Sequence, residues 1–124
     1  MKYLILTYAS QKDYDAMATG AAEFEPMYKF MGEFNAELAA SGELVETRGL
    51  AAPVHTRRVQ GSFVTDGPYA ETQEVLAGYW VVECPSFDRA TEIAARLNDC
   101  PNPGFTNPYA DVRPIIESHE QLEG

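Results

Sequence analysis

The chain has 124 residues, of which 45% are hydrophobic and 11% aromatic. This length and composition are typical of one globular domain that buries roughly two thirds of its unfolded surface. Nineteen acidic residues against nine basic ones give a net charge of −10 at pH 7. A surface this negative repels phosphate backbones and anionic lipid head groups. We therefore expect a single domain over residues 1–124 that binds neither nucleic acid nor membranes.

The amino terminus and the two cysteines indicate the cellular compartment of the protein. The first apolar run extends from Tyr3 to Leu6, which is too short for the apolar part of a signal peptide or for a membrane span. Cys84 and Cys100 show neither a Cys-x-x-Cys pattern nor the spacing of metal ligands. Without an export signal, two such cysteines are typical of reduced thiols. We expect a cytoplasmic protein.

The first half of the chain shows a strand pattern followed by two helix patterns. Residues 3–8 are apolar on both alternating sets, which is typical of a strand covered on both sides. A short helix is predicted over Asp13–Ala18 and a longer one over Phe24–Ala40, with Pro26 in the first turn of the longer helix. Apolar residues at helical spacing form one buried stripe on that helix, namely Met27, Met31, Phe34 and Leu38.

The second half of the chain favours four strands and one helix. The predicted strands are Glu43–Leu50, Arg57–Val64, Gly78–Cys84 and Asp111–Ile116. Ser86 is a good N-cap for a helix that runs to about Leu97, with a buried stripe that includes Ala90, Ile93 and Ala94. Proline and glycine predict an irregular loop over residues 101–108, and residues 117–124 form a polar tail.

The element order β-α-β-β-α-β predicts a ferredoxin-like α+β fold, in which an antiparallel sheet carries both helices on one face. Two helices cover only that face, whereas residues 3–6 and 79–82 are apolar on both faces. Monomers avoid a bare apolar face, so we expect the sheet of a second copy to cover it in a two-fold homodimer. The alternative is that the Pro-rich loop folds over this face.

The segment between two predicted strands carries a family resemblance. Its signature is Val64-Thr65-Asp66-Gly67-Pro68-Tyr69-Ala70-Glu71-Thr72. Further matches are Met1-Lys2-Tyr3, Ser41-Gly42-Glu43-Leu44, Gly78-Tyr79, Glu83-Cys84-Pro85-Ser86 and Val112-Arg113-Pro114-Ile115. With these residues the chain resembles the YCII-related superfamily, specifically its DGPF branch, with Tyr69 in place of the Phe that names the branch.

This resemblance implies an α+β barrel that forms when two ferredoxin-like sheets dimerise. It implies no established reaction, because the branch is largely of unknown function. Genes for extracytoplasmic-function sigma factors often lie beside those of its members, which points to a regulatory setting. Some members of the wider superfamily are lyases thought to use a His–Asp pair. Their histidine belongs to the first helix region, and this chain has no histidine before Pro53.

The signature loop holds the first group of candidate site residues. Asp66 is a candidate general base or ligand anchor, and Tyr69 and Glu71 are close enough in sequence to join it. The alternative role of Asp66 is structural, as the carboxylate of an Asp-Gly turn. As a histidine, His55 suits proton transfer if Asp66 approaches it; the alternative is an exposed loop histidine.

Two further residues are candidates for ligand binding. Arg113 projects from a predicted strand and suits an anionic small molecule or a structural ion pair, and Trp80 lies on the strand after the signature loop. No metal-binding motif and no glycine-rich phosphate loop is present in the sequence, so no metal or cofactor is expected.

These observations lead to two functional hypotheses. The first is a homodimer that binds a small aromatic or anionic organic molecule near the Asp66–Tyr69 loop. Its enzymatic form is a cofactor-free lyase or isomerase step with Asp66 or His55 as general base. The second hypothesis is a non-catalytic sensor or protein-partner module associated with sigma-factor regulation.

Overall fold

The computed structural model describes residues 1–102 and 108–123, which form a mixed α+β fold. The helices are α1 (Gln11–Thr19), α2 (Ala21–Ala40), α3 (Phe87–Ala95) and α4 (His119–Glu123). The strands are β1 (Lys2–Ala9), β2 (Leu44–Gly49), β3 (Arg57–Gln60), β4 (Phe63–Asp66), β5 (Val75–Glu83) and β6 (Ala110–Pro114). None of the helices in these described ranges is long and apolar enough to cross a membrane.

Four of the strands form one antiparallel sheet in the order β2-β5-β1-β6. The strand β1 pairs with both β5 and β6, and β2 pairs with β5. The chain therefore leaves β1, passes through α1 and α2, and returns at the far side of β5. This arrangement is consistent with the ferredoxin-like fold expected from the element order.

The core lies between this sheet and the helices. Alternate residues of β1 and β5 point to the same face, where Ile5 pairs with Trp80, and both are buried. The ring of Phe34, on α2, meets the Trp80 ring edge-on with centroids 5.7 Å apart. The Trp80 indole Nε1–H donates a hydrogen bond of 2.7 Å to Oδ1 of Asn35. This bond satisfies the one polar group that the indole brings into the core.

Both predicted helix stripes are confirmed. On α2, Met27, Phe34 and Leu38 are buried and Met31 is partly buried. The stripe of the second predicted helix is also buried and consists of Ala90, Ile93, Ala94 and Leu97. Ser86 caps α3 as predicted, because its Oγ accepts a hydrogen bond of 3.0 Å from the backbone N–H of Arg89.

The predicted start of the long helix is wrong. The helix α2 begins at Ala21, directly after Gly20, so Pro26 lies inside the helix and not in its first turn. The backbone N–H of Gly20 donates to the carbonyl of Ala16 at 2.8 Å and so ends α1 one residue before α2 starts. Proline inside a helix removes one backbone hydrogen-bond donor. The predicted start at Phe24 assumed that Pro26 lies in the first turn, where the missing donor costs least.

The predicted single strand Arg57–Val64 is also wrong. The structure forms a hairpin of β3 and β4, joined by the two residues Gly61 and Ser62, in a separate two-stranded sheet. Gly61 has φ of +59°, which a tight two-residue connection requires and which glycine adopts without strain. Every residue of both hairpin strands is exposed. The main sheet resumes with β5 at Val75, three residues before the predicted start.

The end of the chain differs in detail from its prediction. The last strand is Ala110–Pro114 rather than residues 111–116, and the predicted polar tail contains the short helix α4. The helix α3 ends at Ala95 and continues as a 3₁₀ turn over Arg96–Asp99. Of the predicted irregular loop over residues 101–108, positions 103–107 lie outside the described residues, as does position 124 of the tail.

An ion pair joins α3 to the start of β2. Nε and Nη2 of Arg89 donate to the two carboxylate oxygens of Glu43, both at 2.8 Å. The hydroxyl of Ser41 donates to the same carboxylate at 2.9 Å. The hydrogen bonds from Arg89 lower the pKa of Glu43 to about 2, and the bond from Ser41 adds to this effect.

We predict that Glu43→Gln lowers the free energy of unfolding at pH 7 by about 1–2 kcal/mol, because a bidentate charge-assisted pair is lost and partial solvent screening of Arg89 limits its value. The folded pKa of Glu43 lies below the ordinary value of 4.5. Its stabilisation is therefore full above that value and is lost as the pH falls towards 2. Urea unfolding at both ends of this range measures the difference.

The matched control is Glu92→Gln, since Glu92 contacts the same Arg89 at 3.2 Å but is 68% exposed. We expect a loss below about 0.5 kcal/mol for this variant. An equal effect of Glu43→Gln at pH 7 and near pH 2 would contradict the assignment.

Candidate functional site

A cavity of about 140 Å³ lies at the end of β1, between the sheet and the helices. Its wall includes Thr7, Tyr8 and Ala9 from β1, and residues from α1, α2, β5 and β6. The segment that follows α3 completes the wall as far as the structure describes it, through Leu97 and Cys100. The cavity therefore brings together residues from both ends of the chain.

Local sequence features open this space. The pairing of β1 with β5 shifts register between Thr7 and Tyr8, so that Tyr8 pairs with Leu76. Such bulges re-aim side chains and often lie beside functional sites. Two residues later Ser10 starts α1 with a capping box, in which the side chains of Ser10 and Asp13 each accept the other's backbone N–H. The sharp exit from β1 places α1 against the cavity.

The cavity wall is largely apolar and adaptable. Three of the four methionines of the chain contribute to it, namely Met17, Met27 and Met31. The thioether side chain is flexible and polarisable, and it makes favourable contacts with aromatic rings. Leu97 adds a buried aliphatic surface. A wall of this composition suits an apolar molecule of variable shape.

The three tyrosines of the cavity wall keep their protons at neutral pH. The Tyr8 hydroxyl donates to Oδ2 of Asp111 at 2.7 Å, and this bond with partial burial raises the pKa of Tyr8 to about 12. Burial raises the pKa of Tyr14, whose hydroxyl donates to the carbonyl of Leu50 at 2.7 Å. Partial desolvation and the nearby Glu74 carboxylate raise the pKa of Tyr109.

The remaining ionisable group of the cavity wall is a thiol. Cys100 is free and buried, and burial raises its pKa. It is therefore a protonated, weakly nucleophilic thiol. Along the described wall, no side chain carries a charge at neutral pH.

None of the six residues predicted as site residues lines this cavity. Trp80 lies in the helix–sheet core, where its indole bonds to Asn35. Arg113 lies exposed on β6, where it pairs with Leu4 on the face opposite the helices.

The other four predicted residues cluster around the exposed hairpin. The Asp66 side chain is 83% exposed and forms an ion pair of 3.4 Å with Nε of Arg57. His55 is exposed at the end of a 3₁₀ turn. The backbone N–H of Gly67, at φ of +55°, donates to the carbonyl of Thr56 at 2.8 Å, so the segments that carry His55 and Asp66 are adjacent. The chemical roles of His55 and Asp66 stay predictions.

The signature loop also ties the hairpin to α1. The Arg58 guanidinium lies 5.2 Å from the centre of the half-buried Tyr69 ring, a cation–π contact. The backbone N–H of Lys12 donates to the carbonyl of Glu71 at 3.0 Å, and Gln11 accepts from the backbone of Val54 at 2.8 Å. The contacts of Tyr69 and Glu71 give the loop a positioning role in the fold.

The residues of the cavity were not predicted from the sequence. The pair Tyr8–Asp111 joins positions 103 residues apart, and no local motif marks it. The usable signal was the methionine spacing in α1 and α2, with Met17, Met27 and Met31.

The fold and cavity define a small α+β protein with a cavity whose described wall carries no charged side chain. The model of the YCII-related domain matches residues 1–119, and the chain belongs to the YCII-related family. The resemblance drawn from the signature residues is thereby confirmed. An uncharacterized protein of Rhizobium meliloti (strain 1021) is 37% identical over 79 residues, which are 64% of this chain and 60% of that protein. The alignment thus spans less than two thirds of that relative's length.

We predict that Asp111→Asn lowers the pKa of Tyr8 from about 12 towards the ordinary value of 10.0, because the carboxylate that holds the phenolic proton is lost. Tyrosinate absorbance followed against pH measures the shift, and Tyr8→Phe identifies the Tyr8 contribution. The Tyr8–Asp111 bond stabilises the fold below about pH 10, and this stabilisation is lost as the pH rises through 12. Asp99→Asn is the control, and an unchanged titration in Asp111→Asn would contradict the pairing.

Proposed function

We propose that this protein is a homodimer that binds a small, neutral, mainly aromatic molecule in the cavity beside Tyr8. The observation that supports this function is a cavity of about 140 Å³ whose described wall is largely apolar and carries no charged side chain. An apolar cavity of about 150 Å³ in another protein takes up benzene. The volume therefore suits a single small ring and is below the several hundred Å³ typical of drug-sized ligands.

The wall chemistry separates the two ligand classes that the sequence left open. An anion that enters loses its hydration, and no cationic side chain of the described wall replaces it. A neutral ring instead contacts methionine sulfur and tyrosine rings, and Tyr8 and Tyr109 already stack with centroids 5.2 Å apart. The neutral aromatic class is therefore favoured over the anionic class.

The same wall favours binding without turnover. Proton transfer needs a group that titrates near the working pH, whereas Tyr8, Tyr14, Tyr109 and Cys100 all have raised pKa values. Asp66 and His55, the predicted acid–base pair, lie at the exposed hairpin and not in the wall. We therefore favour the sensor or partner-module hypothesis over a lyase or isomerase. Association with a sigma factor stays a prediction from the family resemblance.

We predict that toluene and phenol bind and that benzoate, of similar size but negatively charged, does not. Ligand at about 100 times its dissociation constant stabilises the fold by about 2.7 kcal/mol, which raises the melting temperature by several degrees. Thermal shift and calorimetric titration measure binding, and chromatography of the incubated probe tests for turnover. Ala110→Leu, which fills part of the cavity, is expected to weaken toluene binding at least tenfold.

Two variants serve as controls for the ligand experiment. Ala39→Leu adds the same atoms at an exposed position of α2, and Asp66→Asn removes a charge outside the cavity. Both are expected to bind toluene as the unmodified chain does. Tighter binding of benzoate than of toluene, or loss of toluene binding in Asp66→Asn, would overturn the assignment of the site.

The homodimer is supported by the sheet face that the helices leave open. Leu4, Leu6, Tyr79 and Val81 project from the two central strands of this face. All four are only partly buried, and continuous apolar surface of this kind marks an interaction site. A second sheet packed on it would form the dimeric α+β barrel expected from the resemblance. The alternative cover, the loop over residues 101–108, falls largely outside the described residues.

We predict that Leu6→Glu converts the dimer to a monomer, because the interface would bury an unpaired carboxylate next to Tyr79 and Asp111. Sedimentation equilibrium at micromolar concentration measures the dissociation constant, which we expect to rise at least a hundredfold. Ala22→Glu adds the same charge in the first turn of α2, where it is compatible with the helix dipole, and should leave the dimer intact. A single-chain mass for the unmodified protein would refute the homodimer.

A further inference from the structure

Strand register places four charged residues at the ends of two neighbouring rows of the open sheet face, called its corners below; the adjoining row has Lys2 opposite Glu83 on the central strands. One row across the sheet, from β2 to β6, is Glu46, Val81, Leu4 and Arg113. The next row on the same face, two residues along, is Arg48, Tyr79, Leu6 and Asp111. Each row thus has an apolar centre and one charge of each sign at its ends.

The signs alternate around the rectangle that these corners form. On β2, Glu46 is negative and Arg48 is positive. On β6 the order is reversed, because the positive Arg113 shares a row with Glu46 and the negative Asp111 shares a row with Arg48. A two-fold rotation about an axis parallel to the strands places Glu46 over Arg113 of a second copy. A two-fold rotation about an axis across the strands places Glu46 over Arg48 of a second copy. Each corner meets an opposite charge in both cases, so the face is self-complementary.

The charge balance of this face favours a second copy. The two positive and two negative corners cancel, so the net charge of −10 resides on the rest of the chain. Two such chains repel one another through most of their surfaces. The open face is therefore a surface by which two copies approach without net repulsion between the facing patches.

Glu46, Arg48 and Arg113 are available to pair across an interface, and the Asp111 carboxylate, which accepts the Tyr8 hydroxyl, retains a second oxygen. Arg48 and Glu46 approach one another at 3.5 Å, with side chains 70% and 48% exposed, and such exposed pairs contribute little to stability. Arg113 forms no ion pair within residues 1–102 and 108–123. Opposite edges of the sheet lie roughly 14 Å apart, beyond the screening length of about 8–10 Å, so the two edges interact only weakly within one chain.

The geometry of packed sheets is compatible with these contacts. Facing sheets lie about 10 Å apart, a gap that an arginine and a glutamate side chain span together. Their strand directions differ by about 30°, which displaces each corner by roughly 4 Å. Every facing pair contains one arginine, whose long side chain absorbs a displacement of this size. The partner's corners therefore lie within reach of their opposites.

We infer that Glu46, Arg48, Asp111 and Arg113 are specificity determinants by which this chain recognises a second copy of itself. The inference rests on the proposed homodimer and goes beyond it, because it assigns partner choice to four charges at the rim. Complementary rim charges govern specificity and association rate more than affinity. The apolar centre holds the two sheets together, and the corners reject a chain with a different pattern.

The test is a variant in which all four charges are reversed: Glu46→Arg, Arg48→Glu, Asp111→Arg and Arg113→Asp. Its own corners remain complementary, so it should form a homodimer. Against the unmodified chain all four corners meet like charges, whichever of the two axes applies. Native mass spectrometry of a mixture, with one chain isotopically labelled, should show cross-dimers on the order of tenfold below the statistical half. About 1 M salt should return them towards that half.

The matched control reverses Lys29 and Glu33, two exposed residues of α2, by Lys29→Glu and Glu33→Lys. This variant should mix statistically with the unmodified chain. Statistical mixing of the corner-reversed variant, or its failure to dimerise while folded by circular dichroism, would overturn the inference and leave the homodimer standing. A single-chain mass of the unmodified protein would overturn both.

Folding of the corner-reversed variant is tested separately, because Asp111→Arg removes the acceptor of the Tyr8 hydroxyl. If that variant does not fold, the neutral variant Glu46→Gln, Arg48→Gln, Asp111→Asn and Arg113→Gln replaces it. Added salt should then weaken the unmodified dimer relative to the neutral one by a factor of several. Equal salt dependence of the two dimers would overturn the inference.

Discussion

The structure depends on one constraint, which is that the helices cover a single face of a sheet whose central strands are apolar on both. Pleating sends Ile5 and Trp80 into the core, where Phe34 packs against them. The same pleating sends Leu4 and Val81 to the opposite face. A different strand register would not remove the open apolar face, because a shift by one residue only exchanges the residues of the two faces. The core and the open face therefore come from the same alternation.

The cavity arises where this regular pattern ends. The bulge after Thr7 and the capping box at Ser10 turn the chain sharply from β1 into α1. The short α1 and the long α2 leave space near the end of the sheet, and methionines and tyrosines partly fill it. Asp111, on the strand next to β1, holds the hydroxyl of Tyr8 from outside the cavity wall. The residues of the wall that the structure describes are therefore uncharged, although a carboxylate lies close to them.

Periodicity predicted those parts of the fold in which one face of an element packs on the core. The stripe with Phe34 and Leu38 on α2 was recognisable because burial selects apolar residues at helical spacing. The hairpin was missed because Val59 and Val64, which pair across its strands, read as one continuous strand, although Gly61-Ser62 is a known two-residue turn signal. The cavity was not predicted because its wall joins apolar residues far apart in sequence, whereas the functional interpretation followed polar motif residues.

The proposed ligand site and the proposed interface share one contact. Tyr8 is one of the residues that line the cavity, and its hydroxyl bonds to Asp111, one of the four corner charges of the open face. A bound molecule that moves the Tyr8 ring changes the position of the Asp111 carboxylate. A partner chain that forms an ion pair with Asp111 weakens its hydrogen bond to Tyr8. Coupling of this kind is reciprocal, since each event alters the free energy of the other by the same amount. In the proposed dimer, ligand occupancy and self-association therefore influence one another through this phenol–carboxylate pair.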